Sequence, residues 1–133
     1  MPFAEIFYHI VMGIAEGNKP LDDITSKLVE TKLCEESDRL GGKSVAVGMM
    51  PDHVHILLAS PPEGSPDAII TELRETTTEL VAGMGRDEKL DWKHDYGVVS
   101  VSRSHLDIVK SYIDEQKQRH MDGKTNATLE KMD

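Results

Sequence analysis

Apolar residues along the 133-residue chain change their spacing several times, and each change predicts an element. Phe3 to Ile14 is rich in β-formers and aromatic residues and predicts a strand. The polar run Glu16 to Pro20 predicts a turn. Asp22 or Asp23 can cap a helix in which Ile24, Leu28, Leu33 or Cys34, and Leu40 recur at helical spacing, with Gly41-Gly42 as its stop. Ser44 to Met50 and His53 to Ala59 are two short strands split by Pro51-Asp52, the spacing of a hairpin. After the proline-rich loop Pro61 to Pro66, Ser65 can cap a second helix with Pro66 at its first position. Ile69, Ile70, Leu73, Leu80 and Val81 give that helix its apolar face, and glycines 83 and 85 stop it. Val98 to Ser102 predicts a strand. Ser104 then opens a last helix reaching about His120, with Asp107 at the capping-box position. From Asp122 onward the chain is polar and reads as a frayed tail.

The order strand, helix, strand, strand, helix, strand, helix predicts an α+β fold. Its first six elements match a ferredoxin-like β-α-β-β-α-β sandwich, an antiparallel sheet with helices on one face, and a C-terminal helix is added. The length predicts one domain over residues 1–121, with 122–133 as the tail. This fold hosts many functions, so chemistry has to be argued from particular side chains.

Composition narrows the classes. Hydrophobic residues at 38% and charged residues at 29% fit a soluble globule. Fifteen Lys and Arg against 24 Asp and Glu give a net charge of −9, which excludes a nucleic-acid binder that is basic all over. The acid is unevenly placed. Residues 1–85 hold 6 basic and 14 acidic side chains, whereas residues 86–120 hold 7 of each. The single cysteine, Cys34, reads as a buried small hydrophobe on a helix, in preference to a nucleophile. It cannot form an intrachain disulfide, and the short apolar run Ile10 to Ala15 has no basic leader before it. The expected location is therefore cytoplasmic, without a membrane span.

Two stretches carry candidate chemistry. In Met50-Pro51-Asp52-His53-Val54-His55 the alternation of a strand puts His53 and His55 on one face, roughly 7 Å apart at Cα. That spacing permits both imidazoles to ligate one metal, and it equally suits two ordinary polar positions. On the last helix, Leu106, Val109 and Ile113 form an apolar arc. Tyr112 and Gln116 stand one turn apart on its boundary. A tyrosine there can anchor the helix by its ring while its hydroxyl meets a polar partner.

Four patches in chain order then point to a family: Tyr8-His9-Ile10-Val11, the hairpin just quoted, Trp92 with Tyr96-Gly97-Val98-Val99-Ser100-Val101-Ser102, and Val109-Lys110-Ser111-Tyr112-Ile113-Asp114-Glu115-Gln116. They resemble, respectively, the first strand, the His-hydrophobe-His (HUH) hairpin, the W…YG-x-x-SVS segment and the Tyr-Ile-x-x-Gln helix of the small single-tyrosine HUH transposases. That family includes insertion-sequence transposases and relatives at repetitive extragenic palindromes. The resemblance implies a metal-dependent DNA strand transferase that cuts and joins single-stranded DNA at hairpin-forming element ends. It implies Tyr112 as nucleophile, forming a 5′-phosphotyrosine, and His53, His55 and Gln116 as ligands of one divalent cation, Mg²⁺ or Mn²⁺. It also implies a homodimer pairing sheet edges. A proton acceptor for the tyrosine is not evident in the motif, with Asp52 and His105 as conceivable candidates. The sequence differs from the family in two segments. Ile70 to Glu79 offers only Arg74 where relatives carry Lys, Gly and Ser, and Ala15 to Leu21 offers only Lys19. Two alternatives follow: a catalytically reduced relative that binds or nicks DNA hairpins, and a ferredoxin-like interaction or metal-binding module that no longer binds DNA.

Overall fold

The computed structural model describes residues 3–116, 126–127 and 129–132. Elements follow the predicted order: β1 (Phe7–Ile14), α1 (Asp23–Arg39), β2 (Lys43–Met49), β3 (His53–Ala59), α2 (Pro66–Gly83), β4 (Trp92–Val101), a 3-10 turn (Arg103–His105) and α3 (Leu106–Asp114). The four strands form one sheet in the order β2-β3-β1-β4, and every neighbouring pair is antiparallel. β1 and β2 therefore run parallel with β3 between them, and β3 and β4 run parallel with β1 between them. This is the split β-α-β arrangement of the ferredoxin-like fold.

Each helix on the covered face begins where its capping residue dictates. The Asp22 carboxylate accepts from the Thr25 amide at 2.8 Å and starts α1. The Ser65 hydroxyl accepts from the Ala68 amide at 3.3 Å ahead of Pro66 and starts α2. Each cap is worth about 1 kcal/mol. At the end of α1, Gly41 takes φ +87°, the left-handed conformation that closes the helix. Ile10, Met12 and Ile14 of β1 and Val54, Ile56 and Leu58 of β3 point into the main core. They meet Val29 and Leu33 of α1 and Ile69, Ile70, Leu73 and Val81 of α2. The opposite face of the sheet holds a smaller cluster, Ala46 and Leu57 under Val109 and Ile113 of α3.

β1 begins at Phe7, four residues after the start of the predicted strand, and the structure differs from the sequence expectations in four further places. The face of α1 is rotated: Thr25, Val29, Leu33, Glu36 and Ser37 are buried, while Ile24 is 62% and Leu28 42% exposed. Polar residues can occupy that face because each has a partner, Ser37 within the helix and Thr25 across 63 residues of chain. The Ser37 hydroxyl bonds the Leu33 carbonyl at 2.7 Å, and the Thr25 hydroxyl bonds Glu88 at 3.0 Å. Cys34 is half-buried. β4 starts at Trp92, six residues before the predicted strand. It is an edge strand, and its polar Lys93, His94 and Asp95 lie where the register with β1 shifts between the Met12/Tyr96 and Ile14/Trp92 pairs, so no apolar period marks them. Ser104 caps nothing: its hydroxyl meets Ser102 Oγ at 3.0 Å and His105 Nδ1 at 3.2 Å, and α3 begins without a side-chain cap.

Residues 117–120, where the last helix was expected to continue, lie outside the described residues. Of the stretch read as a frayed tail, residues 126–127 and 129–132 are described, and they include contacts to the face that carries α3. Among the described residues no helix is long and apolar enough to cross a membrane.

Candidate active site

Alternation within β3 sends Val54, Ile56 and Leu58 into the main core and leaves His53, His55 and Leu57 on the α3 face. Both histidines are buried; His55 is 0% exposed. Each ring is oriented through one nitrogen. Nδ1 of His53 lies 2.6 Å from the carboxylate of Asp52 in the hairpin turn. Nδ1 of His55 lies 2.8 Å from Nε2 of His9 on β1. The Nε2 atoms of both rings converge on one carboxylate oxygen, Glu130 Oε1, at 3.1 Å and 3.0 Å. Facing the carboxylate, His55 Nε2–H donates to Glu130 Oε1; to offer a cation a lone pair instead, its Nδ1 must carry the proton and donate it to His9. Burial pushes the His9 and His55 imidazoles down to about 4, so both are neutral near pH 7.

α3 brings Tyr112 to the same place. Val109 and Ile113 anchor the helix on Leu57 and Ala46, and Tyr112 sits edge-on to the His55 ring with centroids 5.8 Å apart. The Tyr112 hydroxyl donates to Glu130 Oε2 and accepts from the Asn126 amide at 2.9 Å. Burial alone would raise the Glu130 carboxyl. The hydrogen bond from Tyr112 and the adjacent His55 and His53 outweigh it and hold the group below its usual range.

Gln116, 2% exposed, lies against Gly48, the β2 residue opposite His55. A Cβ at Gly48 would overlap the Gln116 amide and stand 2.9 Å from the Ile113 carbonyl oxygen. The missing side chain is what lets the end of α3 settle beside the histidines.

All four sequence-predicted residues thus lie on one face of the sheet: His53, His55 and Tyr112 meet through Glu130, and Gln116 packs one strand away. Of the two conceivable proton acceptors, Asp52 orients His53. His105 Nδ1 meets the Ser102 hydroxyl at 2.8 Å, at the start of α3. Sequence reasoning missed His9 and Glu130. The alternation of β1 could have revealed His9, which is out of phase with the core residues Ile10 and Met12 and therefore faces the side of His53 and His55. Glu130 has no such signal, lying outside any periodic element and 75 residues from His55.

The donor set fits a divalent cation. One carboxylate oxygen and two imidazole nitrogens all lie within 4.8 Å of one another. Donor separations near 3 Å are those of adjacent ligands around an ion with bonds of about 2.1 Å. Two imidazoles with oxygen donors suit Mn²⁺ and, less strongly, Mg²⁺.

Fold and side chains together define an α+β protein with a histidine–tyrosine cluster on the sheet face opposite its main core. Over residues 3–116 the chain matches the family described as "Transposase IS200 like", and it belongs to that family. A candidate transposase from Deinococcus radiodurans R1 is similar in fold, with a TM-score of 0.64 at 19% identity over 95% of each chain. A REP-associated tyrosine transposase, solved bound to a REP hairpin, gives a TM-score of 0.69 at 11% identity. That likeness covers 94% of this chain and 73% of the other. No curated protein matches.

Proposed function

We propose that the chain is a metal-dependent enzyme that cuts and rejoins single-stranded DNA at hairpin-forming element ends through a 5′-phosphotyrosine on Tyr112. The observation that carries this reading is the convergence of the Tyr112 hydroxyl and the His53 and His55 Nε2 atoms on one small anionic group, the Glu130 carboxylate. Nucleophile and metal pair therefore share one polar pocket, as attack by Tyr112 on a metal-held phosphodiester requires. Membership in the IS200-like family supports the transposition chemistry, and the hairpin held by the REP-associated relative supports the substrate class.

In the cleavage step Tyr112 Oη bonds to phosphorus and the bond from phosphorus to the 3′ oxygen breaks. The phenol gives up its proton, and the departing oxygen takes one up as a 3′-hydroxyl. A 3′-hydroxyl attacking the phosphotyrosine reverses the sequence and restores both phosphodiester and phenol, so joining needs no ATP. His53, His55 and Gln116 would hold a divalent cation, Mg²⁺ or Mn²⁺, which when bound would supply Lewis acidity to the reaction. His9 and Asp52 keep the two rings in the tautomer and orientation that leave Nε2 for this purpose. α3 fixes the tyrosine ring so that attack begins from an ordered position. The same reading makes the protein a cytoplasmic homodimer in which β2 or β4, the two edge strands, pairs with its copy.

The decisive experiment incubates the protein with single-stranded oligonucleotides drawn from the flanking genome, with Mn²⁺ or Mg²⁺, and looks for a covalent protein–DNA adduct on a denaturing gel. An adduct absent from Tyr112→Phe supports the proposal. Metal-dependent nicking that survives in Tyr112→Phe defeats it.

One observation favours a second reading, a family relative that binds or nicks hairpins with reduced grip. Arg74, the only cation of the α2 segment, donates from Nη2 to the carbonyls of Lys93, His94 and Asp95 at 2.6, 3.1 and 3.3 Å and stacks on Tyr96. It is built into the fold. Retained hairpin binding without any adduct, measured in the same assay, selects this reading.

A further inference from the structure

Glu130 reaches the histidines from a segment that has its own seat on the sheet. On the α3 face, Gly97 stands opposite Val11 and Gly13 opposite His53. A Cβ at Gly97 would overlap the Lys131 carbonyl oxygen, and one at Gly13 would stand 3.0 Å from Met132 Sδ. Two bare backbone positions therefore leave room for residues 131 and 132 beside the site. Upstream, the segment folds on itself: the Glu130 amide donates to the Asn126 carbonyl at 3.0 Å, and the Leu129 amide to the Asn126 side chain at 3.3 Å. Asn126 also donates its amide to the Tyr112 hydroxyl. The turn, the seat and the tyrosine jointly aim one carboxylate between two imidazole Nε2 atoms.

We propose that Glu130 is an oxygen ligand of the divalent cation, delivered by a strap formed by the described residues 126–127 and 129–132, so that metal binding and strap seating are one equilibrium. The inference rests on the reading of His53 and His55 as the metal pair and extends it to a residue outside the motif. An imidazole that ligates a metal is uncharged and balances none of a dication's charge, and Gln116 is neutral as well. Glu130 supplies the negative charge, and it supplies the donor type that Mg²⁺ and Mn²⁺ favour. Because ligand and strap move together, whatever holds the strap also holds the metal, and Mn²⁺ in turn protects the strap.

Mn²⁺ affinity, read from the electron paramagnetic resonance signal of the unbound ion, tests this without any DNA. The full-length protein is compared with His55→Ala, Glu130→Gln and Gly97→Val. The last keeps every proposed ligand, suits a β-strand and denies Lys131 its seat. Mn²⁺ is expected to bind the parent protein, to fail with His55→Ala, and to bind Glu130→Gln and Gly97→Val at least about tenfold more weakly. Amide exchange in the segment 126–132 should slow on adding Mn²⁺ to the parent protein and not in Glu130→Gln. Parent-like affinity in Glu130→Gln alongside loss in His55→Ala overturns the role of Glu130 and leaves the histidine pair standing. Parent-like affinity in Gly97→Val overturns the strap. Failure of the parent protein itself to bind Mn²⁺ removes the metal pair, and this inference with it.

Discussion

At the scale of single residues, the unusual feature is a buried imidazole pair, His9 and His55, held neutral. Burial pushes each down to about 4 from an ordinary value of 6.5. Between those values the unfolded chain binds protons that the native chain does not, so native stability falls as pH drops from about 6.5 toward 4. At pH 5 the loss is about 2 kcal/mol for each histidine. Urea unfolding of the metal-free protein at pH 7 and pH 5 should show that drop, and His9→Gln should remove roughly half of it. A midpoint unchanged between the two values would contradict the burial of neutral rings. His9 was within reach of the sequence, since a strand with Ile10 and Met12 inward must turn residue 9 the other way. His53 and His55 were legible for the same reason. Tyr112 and Gln116 were singled out by the family resemblance, and helical spacing added only that they stand one turn apart. Glu130 was not: its place depends on a turn at Asn126 and on glycines 13 and 97 of two other elements, and no local pattern encodes contacts of that range.

At the scale of elements, α3 rests on a narrow footing. α1 and α2 share a core with every strand, whereas α3 is held by Val109 and Ile113 against Ala46 and Leu57, with Val45, Val101 and Leu106 at the margin. Truncating Ile113 to Ala removes about 2–4 kcal/mol from a buried site. For α3 that is a large share of what docks it, so the effect should be local opening more than global unfolding. Hydrogen exchange in Ile113→Ala is expected to lose protection across residues 106–116 while β1 and β3 keep theirs, and adduct formation should fall with it. Leu73→Ala, in the main core, should instead lower protection in both sheet and helices. Equal loss everywhere in Ile113→Ala would show that α3 and the sheet form one cooperative unit. Element order was legible because each period change was sharp, and the Asp22 and Ser65 caps marked two starts correctly. The face of α1 was not legible. Ser37 buries a hydroxyl paired one turn back and Thr25 one paired with distant Glu88, while Ile24 and Leu28 point outward, so hydrophobicity and burial part company there. The start of β4 was hidden for a related reason, because an edge strand carries polar residues where a central one could not.

At the scale of the whole molecule, the net charge of −9 sets how DNA can be held. Several cations already have intramolecular partners: Arg39 with Glu36 and Glu72, Arg86 with Asp22 and Glu88, Lys89 with Asp91, Arg103 with Glu5 and Lys110 with Asp114. Arg74 is occupied by three backbone carbonyls. Lys93, whose side chain crosses Gly13 beside His53, and Lys131 in the strap form no ion pair among the described residues, and both stand next to the proposed site. With roughly two or three such phosphate contacts, the logarithm of single-strand affinity should fall with the logarithm of salt at a slope of about −1.4 to −2.1. Fluorescence anisotropy on a labelled hairpin between 50 and 200 mM salt, about the range over which such slopes are read, gives that value directly. Lys93→Ala should reduce the slope by about 0.7. Exposed ion pairs are worth only about 0–1 kcal/mol, so a strand could open some of them. A slope near −4 would mean that it does, and that the acidic partners are displaced by phosphate. A shallow slope combined with strong metal dependence would place most of the grip at the His53–His55 pair, where the few charges that face the strand are concentrated.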